Sequence, residues 1–124
     1  MLEGVAHRGV DLVEAAEADG HLSVDTLRVD GGMSANPVFL QALADAAQRP
    51  VEVSPVLEAT TLGAAFLAGL AVGVWTGMDE IAATWKPVQI VEPRPRTGAA
   101  RERWREARAR AREWVPELSA IEFS

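Results

Sequence analysis

Between Leu2 and Ala18, apolar residues recur at the 3, 4, 3 spacing of one helical face: Leu2, Val5, Ala6, Gly9, Leu12, Val13 and Ala16. Arg8, Asp11, Glu14 and Glu17 fall mostly on the opposite side, so the pattern predicts an amphipathic helix with Gly20 placed to end it. No Ser, Thr, Asp or Asn cap precedes its first apolar residue, the look of a helix cut into rather than begun. Thr26 to Val29 reads as a short strand, and Asp30, Gly31 and Gly32 mark a sharp turn after it. Asn36 and Pro37 then form a strong helix start, because Asn is a favoured N-cap and Pro a favoured first helical residue. That helix is expected to run to about Gln48, with Val38, Phe39, Ala42, Leu43 and Ala46 facing inward. Val51 to Val53 gives a second short strand.

A third helix is expected from near Ala59 to about Val74. The stretch from Ala59 to Met78 holds twenty residues without a charge, which is long enough to span a membrane. It also contains four glycines, three threonines and many alanines, so a buried core helix is the better reading, with Gly63 and Gly69 admitting neighbouring backbone. Residues 86–98 hold three prolines and little periodicity and read as an extended connector. A last helix is predicted over residues 99–115, with an apolar stripe of Trp104, Ala107, Ala111 and Trp114 and arginines over the rest. Helix and strand alternate along the first half of the chain, which predicts an α/β fold with helices flanking a short parallel sheet.

Composition narrows the function. The 124 residues suit one domain. The absence of cysteine excludes disulfide, Cys-ligated metal and thiol-nucleophile chemistry, and two histidines make a zinc site a poor fit. A net charge of −6 argues against nucleic acid as a partner. The charge is uneven: residues 1–93 carry 4 basic and 13 acidic side chains, residues 94–124 carry 8 and 5. On the last helix Glu102, Glu106 and Glu113 dilute the arginines, so a solvated helix packed by tryptophan is preferred over an RNA- or membrane-binding one. The N-terminus shows no basic stretch followed by an apolar one, so no leader is expected and the cytoplasm is the expected location.

The informative loop is Asp30 to Asn36, between a strand and a helix start. Backbone N–H groups at a helix N-terminus attract phosphate, and glycine lets a ligand approach the backbone. The loop is neither Gly-x-Gly-x-x-Gly nor a P-loop, so a tight turn with Asn36 as an ordinary cap stays open as a reading. The second candidate is residues 58–65, where Thr60 or Thr61 would cap a helix and Glu58 would favour its dipole. No Ser/His/Asp arrangement is present; His7 reads as solvated on a polar helix face, and His21 lies in a loop.

The string LRVDGGMSAN at 27–36 resembles the adenosine-binding loop of the FGGY carbohydrate kinases. Gln41, Ala44, Asp45, Pro50 and Val51 continue that resemblance, and EATTLGAA at 58–65 is similar to the family's Gly-Ala-Ala helix. LAGLAVGVW at 67–75 and the Trp-bearing basic helix at the end are similar to the glycerol kinase branch, and LEGVA at 2–6 looks like the tail of a family signature. The resemblance implies part of an actin-like, ribonuclease H-like ATPase domain. Residues 1–124 would be the C-terminal part, on the ATP-binding side, of the second domain of a much longer chain. It further implies transfer of the ATP γ-phosphoryl group to glycerol or a similar polyol, with Mg²⁺, and Gly31, Gly32 and Asn36 as nucleotide contacts. Met33 would line the adenine pocket. The family's general base lies upstream, so none of Asp11, Asp19, Asp25 or Asp30 is assigned that role and the chain alone is expected to be inactive. Segments of xylulose or gluconate kinases, or a stand-alone nucleotide-binding or interaction module, are the alternatives. Two short strands with open edges and a helix apolar on nearly every side imply self-association of the isolated chain.

Overall fold

The computed structural model describes residues 1–56, 58–95 and 98–112. Helix α1 spans Leu2–Gly20 and α2 spans Pro37–Ala47. Strands β1 (Leu27–Val29) and β2 (Val51–Val53) pair in parallel, Leu27 opposite Val51 and Val29 opposite Val53. Helices α3 (Ala59–Ala71) and α4 (Met78–Thr84) follow. Strand β3 (Gln89–Val91) then pairs antiparallel with β2, and α5 (Ala99–Arg112) is the last described element.

The sheet order is β1-β2-β3. The expected short parallel sheet is therefore mixed, because β3 lies inside the stretch 86–98 that reads as a connector. Three residues suffice for it: Val51 opposes Val91 and Val53 opposes Gln89, so β3 completes one edge of β2. The end of the helix expected over 99–115 lies outside the described residues.

The core lies between α1, α2 and the sheet. Ala6 and Val10 of α1 meet Leu40, Leu43 and Ala44 of α2 above Leu27, Val51, Val53 and Val91. Small residues let the two helices approach closely. A methyl at Gly9 would touch Leu43 at 3.6 Å. The inward face of α2 differs from the expected one: Leu40 is almost fully buried, whereas Val38 is 65% exposed. The buried stripe, Leu40, Leu43 and Ala44, falls about a residue later than the apolar pattern suggests, with Phe39, Ala42 and Ala46 half-buried along its edge. Both α1 and α2 end in a non-glycine residue with left-handed backbone, His21 (φ 50°) and Gln48 (φ 53°). Gly20, expected to stop α1, is instead its last residue. Glu17 ties that end down by accepting from the Val24 N–H and, through both oxygens, from Arg49 at 2.9 and 3.0 Å.

Helix α3 departs most from expectation. Only Gly69 is buried, Leu67 is 66% exposed, and Ala64 and Ala65 are exposed too. Gly69 admits the Trp75 ring rather than backbone: an added Cβ would lie 2.7 Å from it, while Gly63 faces open space. Among the described residues no helix is long and apolar enough to cross a membrane.

Candidate functional site

β1 ends at Val29 and delivers the chain into Asp30, Gly31 and a 3₁₀ turn, Gly32–Ala35. Gly31 sits at φ 80°, ψ −178°, a conformation open essentially to glycine alone. The buried Ser34 locks the turn, its hydroxyl donating to the Gly31 carbonyl at 2.6 Å and its N–H to the same oxygen at 3.1 Å. Asn36 is extended, and its Oδ1 accepts from the N–H groups of Val38 (3.0 Å) and Phe39 (3.2 Å). It is thus a full N-cap of α2, as the Asn-Pro pair predicts. One side-chain oxygen does that work, and the amide nitrogen has no partner among the described residues. A methyl on Gly32 would meet nothing within 4 Å, so no packing inside this chain requires glycine there.

Beside this turn, at the carboxyl ends of β1 and β2, a cavity of about 280 Å³ opens. Arg28, Asp30 and Ser54 line one side, Ala59, Leu62 and Phe66 of α3 another, and Trp85 closes the end. The carboxyl ends of strands are where open α/β sheets hold their ligands. The two sequence candidates thus meet at one place, since the first turns of α3 face the strand ends that lead into Gly31. Thr60 and Thr61 do not cap α3. It begins at Ala59, after Glu58, without a side-chain cap. Gly31, Gly32 and Asn36 continue past Asp30 and are not themselves among the cavity's lining residues. Met33 is 44% exposed.

Three residues here went unread in the sequence. Ser34 fixes the turn. Arg28 donates to Glu52 at 3.0 Å and lies 4.1 Å over the Trp85 ring, which fixes the cavity's far wall. Alternating charge on two adjacent strands was the available signal for Arg28 and Glu52, which are direct cross-strand partners. Trp85 gave no local signal at all. Two other carboxylates are held in ion pairs away from the cavity. Burial alone would raise Asp45 and Asp11, but hydrogen bonds outweigh it, from Arg94 and Gln41 on Asp45 and from Trp104, Arg101 and Arg108 on Asp11. Both end at about 2 instead of 3.8.

The same arrangement of helices and sheet recurs in sugar and polyol kinases. The structure of xylulose kinase from Rhodospirillum rubrum matches 97% of this chain with a TM-score of 0.75 at 22% identity. That of Plasmodium falciparum glycerol kinase with ADP matches 98% with a TM-score of 0.67 at 28% identity. The class is therefore the α/β, actin-like domain of such kinases, with helices against a small mixed sheet. The chain belongs to the FGGY family of carbohydrate kinases, whose C-terminal domain matches residues 1–72. Glycerol kinase from Aromatoleum aromaticum is 47% identical over 117 residues, covering 92% of this chain. Glycerol kinase 2 from Thermotoga maritima is 44% identical over 118 residues, again covering 92%. The chain spans about a quarter of the length of these relatives, 24% of each.

Proposed function

We propose that this chain is the C-terminal, nucleotide-side segment of a glycerol kinase, which moves the ATP γ-phosphoryl group to a glycerol hydroxyl. The observation that carries the reading is the turn from Gly31 to Asn36, set at the carboxyl end of a parallel strand pair in a chain so similar to glycerol kinases. Gly31 supplies the backbone conformation that only glycine holds, Gly32 leaves the approach open, and Asn36 caps α2 with its oxygen while its amide N–H groups remain to meet a ligand. The neighbouring cavity would receive part of the nucleotide, with Phe66 and Trp85 as apolar walls. Phosphoryl transfer depends on positioning and on stabilising charge from both sides of a cleft. This segment would contribute to positioning alone.

Magnesium, when bound, offsets the charge of the ATP phosphates. Among the described residues no three His, Cys, Asp or Glu side chains converge, and Asp30 is the one acid lining the cavity. The metal would therefore be held through the nucleotide and residues other than the described ones, with Asp30 the carboxylate that lines the cavity. Asp11 and Asp45 are taken up by arginines, which fits them to structural roles rather than to the general base. The location that suits an ATP-consuming kinase of this kind is the cytoplasm.

The test is an amide chemical-shift titration of the chain with ADP and Mg²⁺. Half a site should bind weakly, at about millimolar affinity. Shifts concentrated at residues 30–39 and around Ala59 to Gly63 support the reading. Shifts confined to other surfaces contradict it.

A further inference from the structure

Helix α5 is attached differently from α1, α2 and the sheet. None of its residues is buried. Helices α1 and α2 and the sheet share an aliphatic core, whereas α5 meets α1 mainly through charged and polar groups. Arg101 donates to Asp11 at 2.6 Å, to Glu14 at 2.8 Å and to the His7 carbonyl at 2.9 Å. Trp104 Nε1 donates to the other Asp11 oxygen at 3.0 Å, and Arg108 approaches that oxygen at 2.8 Å. Arg105 reaches Glu14 at 3.1 Å. The ring contact in this interface is the stack of Trp104 on His7, centroids 5.7 Å apart. The Asp11 side chain is 5% exposed and that of Arg101 12%.

We propose that α5 is an ionic strap, held on α1 by the carboxylates of Asp11 and Glu14 and able to lift away as a unit while α1, α2 and the sheet stay folded.

The two kinds of attachment respond oppositely to salt. Apolar burial holds or strengthens in salting-out conditions, whereas ion pairs weaken as the Debye length falls to about 3 Å near 1 M. The outer members of the latch are open to such screening: Glu14 is 40% exposed, Arg108 39% and Arg105 53%. Segments with few buried apolar contacts are those that open below the global unfolding energy. The groups that face the latch are His7, Arg8, Asp11 and Glu14 from α1 and Arg101, Trp104, Arg105 and Arg108 from α5. Arg8 lies 3.6 Å from Asp11 and remains to shield it once α5 leaves. The Asn36 cap is made within the turn and α2, so lifting α5 leaves the nucleotide-side turn intact.

Amide hydrogen exchange of the chain, read by mass spectrometry at pH 7 in low salt and in about 1 M KCl, tests this. Exchange across Ala99–Arg112 should speed up by about tenfold or more in high salt while α2 stays within about twofold. Asp11→Asn should reproduce that loss of protection at low salt. Should Asp11→Asn fail to fold, Glu14→Gln, which removes the more exposed half of the latch, should give the same selective loss in smaller measure. Trp104→Phe keeps a smaller aromatic ring beside His7 and removes the N–H donor to Asp11, while both carboxylates stay in place, so it should act less strongly than Asp11→Asn. Protection of α5 that salt leaves unchanged, or that is lost in step with α2, or that is absent already at low salt, overturns the proposal.

Discussion

Asp45→Asn is the sharpest test of how the segment after β3 is fixed to the core. Both oxygens of this carboxylate are used. Oδ1 accepts from the Arg94 N–H at 2.8 Å and from Gln41 at 2.8 Å, and Oδ2 accepts from Arg94 Nε and Nη2 at 2.9 and 2.6 Å. Its side chain is 0% exposed, whereas that of Arg94 is 61% exposed. The carboxyl is held at about 2 against 3.8. At about 1.4 kcal/mol per pKa unit this depression is worth about 2 kcal/mol at neutral pH. Asparagine keeps the shape but sets an NH₂ donor against donors on Arg94 or Gln41. The expected loss is about 2–3 kcal/mol at pH 7, below the ~3–5 of a fully buried broken pair because Arg94 stays in water. The sign of the pH dependence follows. A depressed folded pKa stabilises above the unfolded value and is lost as pH falls towards the folded one, so the gap between wild type and variant should narrow from pH 4 towards pH 2. Urea unfolding followed by circular dichroism at stepped pH measures it. A gap at pH 7 below about 0.5 kcal/mol, or one that stays constant down to pH 3, would refute the reasoning.

Other outcomes follow from the same geometry. Gly31→Ala forces a side chain into a glycine-only conformation and should cost about 1–3 kcal/mol in a melting experiment, whereas Gly32→Ala should leave stability unchanged and, in the whole kinase, raise the Michaelis constant for ATP. In that same enzyme Asn36→Ala should lose cap and ligand contact together, roughly 0.5–2 kcal/mol for the cap. Asn36→Asp keeps the cap, so an unchanged Michaelis constant for ATP in Asn36→Asp would reduce Asn36 to a cap alone. The exposed apolar side chains of α3 and its C-terminal turn, Leu67, Val72 and Val74, should make the isolated chain self-associate from low micromolar upward. Sedimentation that shows a compact monomer across that range removes this expectation.

Much of the fold was legible where the signal is local. The Asn36–Pro37 pair fixed the start of α2, and the two-glycine turn after β1 stood out because its conformation depends on residues beside it in sequence. What escaped depends on partners far along the chain. β3 is three residues long in a proline-containing stretch and is a strand only because β2 offers an edge. Asp11, Glu14 and Arg101 looked like solvated charges on two helix faces, since nothing within a few residues of any of them points to a partner some 90 positions away. The apolar pattern of α3 predicts a buried helix, but a pattern records side-chain chemistry and not which neighbours are present. Among the described residues only Gly69 of α3 is buried, with Leu62, Gly63, Phe66 and Leu70 half-buried.

The central claim is that the chain serves as the nucleotide-side quarter of a glycerol kinase. Its most direct test is a chimera in which this chain replaces the matching quarter of the Aromatoleum aromaticum glycerol kinase, assayed for glycerol-dependent ADP release from ATP and Mg²⁺. The account predicts turnover in the chimera, none from this chain alone, and a raised Michaelis constant for ATP when the chimera carries Gly32→Ala. A folded chimera without glycerol-dependent turnover, or one whose ATP dependence is indifferent to Gly32→Ala and Asn36→Ala alike, would contradict it.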